Sequence, residues 1–229
     1  MVAVAQPACI PHDVGANAAA AAQAVLSAHA DLVVFPELSV TGYELDAAPV
    51  AVDDPRLEAV VTACARSGSL ALVGAPVRGV GGRIHIATLA VDAAGVRVAY
   101  RKRWLGVAEA VRFSAGSEAV VLDVRGWRVG LAICKDTGVT QHAAEAAALG
   151  MDLFAAGVVE HAHDREVQPE RAQRIIAEHG VWVAVASFAG STGGGFTDSA
   201  GESTIWGPDG VAVARAGTEV GAVVSATLA

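Results

Sequence analysis

The chain of 229 residues is long enough for one core to bury roughly 70% of the surface its unfolded form exposes, so folding needs no disulfide or metal staple. Hydrophobic residues make up 53% of it and charged residues 17%, with a mean hydropathy of +0.45, which excludes disorder as a global description. Its 16 Lys and Arg against 24 Asp and Glu leave a net charge of −8; this argues against a nucleic-acid or anionic-membrane surface, which needs basic groups to displace counterions.

In chain order, the pattern predicts a strand over 2–5, an Ala-rich helix over 16–29, a strand over 32–35 and a helix over 55–67. Strands follow over 70–74, 84–91, 120–124 and 129–133, then a helix over 141–149, a strand over 153–156 and a helix over 169–179. The last strands are 181–186, 203–206 and 211–214. Gly68, Gly150 and Gly180 stand where helix C-caps prefer glycine. Residues 79–82, the DAAG of 92–95 and the PDG of 208–210 are hairpin-type turns. Alternating strands and helices mixed with hairpins imply a layered α/β fold, and no linker or repeat divides residues 1–229, so one domain is expected. Residues 190–195, GSTGGG, read as a loop.

No apolar stretch reaches the ~18 residues of a membrane span, and residues 1–6 lack the basic start of a secretory signal, so a cytoplasmic address is expected. Cys9, Cys64 and Cys134 are odd in number and show no paired spacing, which argues against a disulfide framework or a zinc site. Cys134 differs from the other two, since it follows the strand over 129–133 and precedes a helix beginning near Thr140. A thiol there is either an inert buried cysteine or a nucleophile whose reactivity the helix N-terminus and nearby cations set. Pro36 ends the strand of DLVVFPELSVTGY and presents Glu37 at its end, where α/β sheets place ligands. YRKRWL, residues 100–105, puts three basic residues in an acidic chain, either as a solvated edge or with one lysine turned inward.

These segments, with EAVRFSAG (109–116), GLAICKD (130–136), LGMDLF, VWVAVAS and GESTIWGPDGVAVARAG, resemble the nitrilase superfamily, the carbon-nitrogen hydrolases, in order and approximate spacing over nearly the whole chain. The resemblance implies a four-layer α-β-β-α sandwich, two mixed sheets with helices outside. It places the family's Glu-Lys-Cys triad on Glu37, Lys102 and Cys134 and its second glutamate on Glu109, which either orients Lys102 and substrate or is structural. The backbone N–H of Lys135 would complete an oxyanion site. The implied reaction is attack of Cys134 on a small amide or carbamoyl compound through a thioester, with no metal or organic cofactor. A nitrilase acting on a nitrile and a catalytically silent binding or assembly module are the alternatives.

The resemblance also implies a homodimer or higher homo-oligomer, less firmly because loops look trimmed and little follows the last strand. The chain departs from the family beside the nucleophile. Lys135 replaces an aromatic residue, Val139-Thr140-Gln141 stands for Phe-Pro-Glu, Ala144 occupies an arginine position, and Ser187 lies where many members have Asn. Lys135 either adds a second cation near Cys134 or points to solvent. His161 and His163, next to Asp164, could face one way as metal ligands but read better as loop residues at the pocket rim.

Overall fold

The computed structural model describes all residues from Met1 to Ala229. Its first half contains β1 (Val2–Ala5), α1 (Val14–Ala28), β2 (Leu32–Val34), α2 (Glu58–Ser67), β3 (Leu70–Arg78), β4 (Ile84–Asp92) and β5 (Gly95–Arg101). Its second half contains β6 (Val121–Val124), β7 (Trp127–Ile133), α3 (Thr140–Ala148), β8 (Leu153–Val158), α4 (Val167–His179) and β9 (Trp182–Ser187). The two-residue strands β10 (Ala189–Gly190) and β11 (Ser199–Ala200) pair with each other, and β12 (Thr204–Trp206), β13 (Ala212–Arg215) and β14 (Val223–Ala226) complete the chain.

Two six-stranded mixed sheets result, ordered β14-β1-β2-β3-β4-β5 and β13-β12-β9-β8-β7-β6. In the first, β1, β2 and β3 are parallel; in the second, β7, β8 and β9 are parallel. Period-2 alternation then sorts side chains into layers. Val2, Val4, Leu32, Val34, Leu72 and Ile86 of the first sheet meet Val129, Leu131, Ile133, Ala155 and Ile205 of the second in one core. The opposite face of the first sheet packs Ala3, Val33, Ala71 and Val73 against α1 and α2. That of the second packs Ala132, Phe154 and Ala156 against residues of α3 and α4. The layers run helix, sheet, sheet, helix, as the resemblance implies.

Differences from the expected elements have local causes. The helix expected over 55–67 is split: Asp54 caps a single 3-10 turn at Pro55–Leu57, and the α-helix proper starts at Glu58. Strand β14 was not expected, because its burial is only partial; antiparallel pairing with β1, Val2 opposite Ala226, makes it a strand. Asp13, one residue before α1, accepts from Ala16 N–H and sets that helix's start two residues ahead of the expected one. The turns at 92–95 and 208–210 lie between β4 and β5 and between β12 and β13, as expected.

Candidate active site

The two sheets bring two tight turns face to face. The first follows β2, where Pro36 ends the ladder and Leu38 takes a left-handed φ of 52°. Two glycines, one from each sheet, make room for it. A Cβ on Gly74 of β3 would collide with Leu38 N and Pro36 O, and one on Gly157 of β8 would collide with Phe35 O and Glu37 N. Val40 N–H donates to Gly74 O at 3.0 Å and Gly74 N–H to Ser39 Oγ at 2.9 Å. The Glu37 carboxylate is thereby fixed between the sheets, 1% exposed.

The second turn follows β7. Cys134 has φ 42°, a left-handed conformation that costs a residue with a Cβ roughly 1–2 kcal/mol, and it opens a 3-10 turn, Cys134–Gly138, before α3. Asp136 holds this turn, accepting from Ile133 N–H at 2.9 Å, Tyr100 OH at 2.7 Å and Trp104 N–H at 3.0 Å. From the other side, Thr137 Oγ1 donates to Cys134 O at 2.7 Å, Arg171 donates to Thr137 Oγ1 at 3.1 Å, and Arg174 donates to Thr137 O at 2.6 Å. The thiol lies 3.7 Å from Val159 O, just past β8.

Lys102 follows the end of β5 and shares the inward face with Tyr100, two residues back. It is 1% exposed, and a lone ammonium buried this deeply would cost several kcal/mol. Two carboxylates neutralise it: Nζ donates to Glu37 Oε1 and to Glu109 Oε1, both at 2.7 Å. Glu109 sits in a 3-10 turn, Glu109–Val111, and receives two further donors, Tyr43 OH at 2.7 Å and Gly106 N–H at 2.6 Å.

Two negative charges around one positive charge cannot be held equally, and the donors decide between them. Burial pushes the Glu109 carboxyl up, but the Lys102 charge and the donors from Lys102, Tyr43 and Gly106 outweigh it and hold it below the usual carboxylate range. Glu37 has only Lys102; its Oε2 is buried and accepts nothing. Burial, with the neighbouring Glu109 charge adding to it, pushes Glu37 up to about 8 against the pull of Lys102. Burial and the Glu37 charge also raise the Cys134 thiol well above its ordinary range, with Lys102 opposing. Burial lowers Lys102, but Glu37, Cys134 and Glu109 together raise it. The resting thiol is therefore neutral, although an adjacent ammonium on its own favours the thiolate.

The other expected residues fall as follows. Lys135 is exposed and its Nζ donates to Leu105 O at 2.7 Å, so its side chain takes the solvent orientation. His161 and His163 stack face to face at 5.0 Å, and His161 stacks on Phe196 at 4.1 Å. Parallel stacking does not aim their nitrogens at a common point. Three possible metal-donor atoms do converge elsewhere, on His12, Glu44 and Asp46, within 4.8 Å of one another at the surface. Sequence reasoning did not single out Tyr43, although it closes the same motif as Glu37.

A model of the family described as carbon-nitrogen hydrolase matches residues 1–229. The chain belongs to the carbon-nitrogen hydrolase family. A "Hydrolase in pqqF 5'region" of Pseudomonas protegens is 30% identical over 223 residues, covering 93% of this chain and 78% of that one. Among solved structures, an amidase from Nesterenkonia sp. AN1 superposes with a TM-score of 0.86 at 24% identity, covering 100% of this chain and 92% of that one. That structure is of a glutamate-to-glutamine mutant and shows the result of Michael addition of acrylamide at the active-site cysteine. Nit3 of Saccharomyces cerevisiae, a member of branch 10 of the nitrilase superfamily, superposes with a TM-score of 0.85 at 20% identity, covering 97% and 87%. These likenesses establish the nitrilase fold for this carbon-nitrogen hydrolase. No helix in it is long and apolar enough to cross a membrane.

Proposed function

We propose that this carbon-nitrogen hydrolase is an amidase that cleaves a small amide or carbamoyl compound through a thioester on Cys134. The observation that carries the reading is the uncommitted Oε2 of Glu37, buried in the same charge cluster as the Cys134 thiol. A carboxylate raised to about 8 has a proton affinity matched to neutral conditions, where general-base catalysis is most effective. The active-site cysteine of the structurally similar amidase supports the same assignment.

Glu37 takes the thiol proton as Sγ bonds to the carbonyl carbon. The developing oxyanion is stabilised by the Lys102 ammonium and by the N–H of Lys135, which lies in the first turn after Cys134, where backbone donors lack partners within the turn. Glu37 then passes that proton to the nitrogen as the C–N bond breaks, releasing ammonia or an amine. Water gives a proton to Glu37 and its oxygen attacks the thioester; the C–S bond breaks, the acid departs, and the proton returns to sulfur. Glu109 keeps Lys102 charged and in place throughout. Steady-state assays with a panel of short amides and carbamoyl amino acids test this. Cys134→Ala is expected to lose at least about a thousandfold in kcat/KM while keeping the wild-type melting profile, and full activity in that variant would refute the reading.

A further inference from the structure

Of the three basic residues in YRKRWL, two have partners. Lys102 is shared by Glu37 and Glu109 and Arg103 is paired with Glu145; Arg97, earlier on β5, is paired with Asp92. Arg101 has none. Its half-buried guanidinium donates no hydrogen bond and meets no carboxylate within 4.0 Å.

Arg101 lines a groove of about 380 Å³ with two further basic side chains, Arg83 and His85. Arg83 is exposed, and beyond a long hydrogen bond from Nε to Val80 O at 3.5 Å its donors are uncommitted. His85, on β4, is 8% exposed. Its Nδ1 lies 2.7 Å from Ser114 O, which places the ring proton there, and its Nε2 has no partner. Burial pushes the ring below the usual histidine range against the pull of Ser114 O, and the Arg101 and Arg83 charges push the same way. Three basic groups are thus gathered in one groove of a chain whose net charge is −8. Glu118 is the one carboxylate on the lining; it is exposed and beyond ion-pair distance of both arginines.

The groove is built before any ligand arrives. Arg101 stands opposite Ala87 in the β4–β5 ladder, and Gly116 packs so closely on it that a Cβ there would lie 2.2 Å from Arg101 O. Gly116 N–H donates to Lys102 O at 2.8 Å and Ser114 N–H to Ile84 O at 2.7 Å, which ties residues 114–116 to the ends of both strands. Val98 and Val120 give the groove an apolar wall. A guanidinium carries five donors in a fixed fork that matches phosphate geometry, and two of them suit a dianion better than a singly charged carboxylate. The volume is that of a small organic ligand rather than of a bare ion.

We propose that Arg83, Arg101 and His85 form a binding site for a small phosphate ester, with its phosphate at the two guanidiniums and its organic body along Val98 and Val120. With the arginine charges neutralised by the phosphate, His85 can take up a proton and donate from Nε2. The site stands apart from the amidase reading, since it shares no side chain with the Glu37-Lys102-Cys134 cluster.

Isothermal titration of the full chain at low ionic strength tests this with phenyl phosphate, inorganic phosphate and benzoate. Phenyl phosphate is expected to bind saturably at one site per chain, more tightly than inorganic phosphate and at least about tenfold more tightly than benzoate, which has the same body and one charge. Arg83→Gln and Arg101→Gln should each weaken phenyl phosphate by about tenfold while keeping the wild-type melting profile. Arg66→Gln, which removes an exposed arginine of α2 outside the groove, should leave binding unchanged. Absence of saturable binding, benzoate binding as tightly as phenyl phosphate, or unchanged affinity in Arg83→Gln and Arg101→Gln would overturn the site. An equal loss in Arg66→Gln would overturn it too, because binding would then follow net charge alone.

Discussion

The Glu37 turn and the Cys134 turn solve one problem by different means. Both follow a parallel strand, and both carry a left-handed residue with a Cβ, Leu38 in one and Cys134 in the other, a strain that persists only where the surroundings over-determine it. The Glu37 turn is pressed between backbone walls, Gly74 from one sheet and Gly157 from the other, with no room for an added methyl group. The Cys134 turn is held by side chains: Asp136 from within, and Thr137, Arg171 and Arg174 through hydrogen bonds. Rigid packing fixes the proposed base, and an adjustable polar clamp fixes the proposed nucleophile. That division suits the proposed chemistry, in which Glu37 stays on Lys102 while the carbon attached to Sγ changes geometry.

Apart from loss of the thiol itself, the largest effect is expected from removing the proposed base. Glu37→Gln should lower kcat/KM by about 10²–10⁴-fold. In the wild type kcat/KM should rise with pH through an apparent pKa of about 8, because Glu37 must lose its proton before it can accept one from the thiol. That limb should vanish in the variant; pH–rate profiles of both proteins check it.

The two kinds of wall are compared next. Gly157→Ala puts a methyl group into the backbone of the Glu37 turn, and displacing the base by about 1 Å should cost about a hundredfold in kcat, with a loss of roughly 1–3 kcal/mol in stability. Gly138→Ala places its methyl group 3.1 Å from the Arg171 guanidinium, the far end of a flexible side chain, and should cost less than tenfold. Equal losses in the two variants, measured by kinetics and denaturant melts, would contradict the contrast. Arg174→Ala is expected to have the smallest effect. It removes two donors to the Cys134 turn, at 2.6 and 3.3 Å, worth about 1 kcal/mol each net to stability; Asp136 and Arg171 still hold the turn, so kcat should fall by less than about threefold while KM changes little.

The sequence made the layers legible because apolar strand-length runs and Ala-rich helical segments differ in period and are punctuated by Gly and Pro. It made Glu37, Lys102, Glu109 and Cys134 legible only through the resemblance; taken one at a time, a glutamate after a strand or a lysine in YRKRWL is equally a solvated residue. The positioning of these residues was not legible. That Gly74 and Gly157 press on one turn depends on two sheets packing face to face. That Tyr43 reaches Glu109, 66 residues away, depends on contacts no local pattern encodes. Strand β14 was missed for the same reason, since its partner β1 lies at the other end of the chain.

The most direct test is labelling with fluoroacetamide, whose acetamide moiety adds to the active-site cysteine in a glutamate-to-glutamine mutant of the Nesterenkonia amidase. Intact-mass measurement and peptide mapping should show one acetamide group on Cys134, with Cys9 and Cys64 unmodified and no adduct in Cys134→Ala. Burial raises the Cys64 thiol to about 11 and the Cys9 thiol above its ordinary range, and neither has a lysine beside it like the Lys102 that faces Cys134. Labelling of Cys9 as fast as Cys134, or amide hydrolysis surviving in Cys134→Ala, would contradict the account.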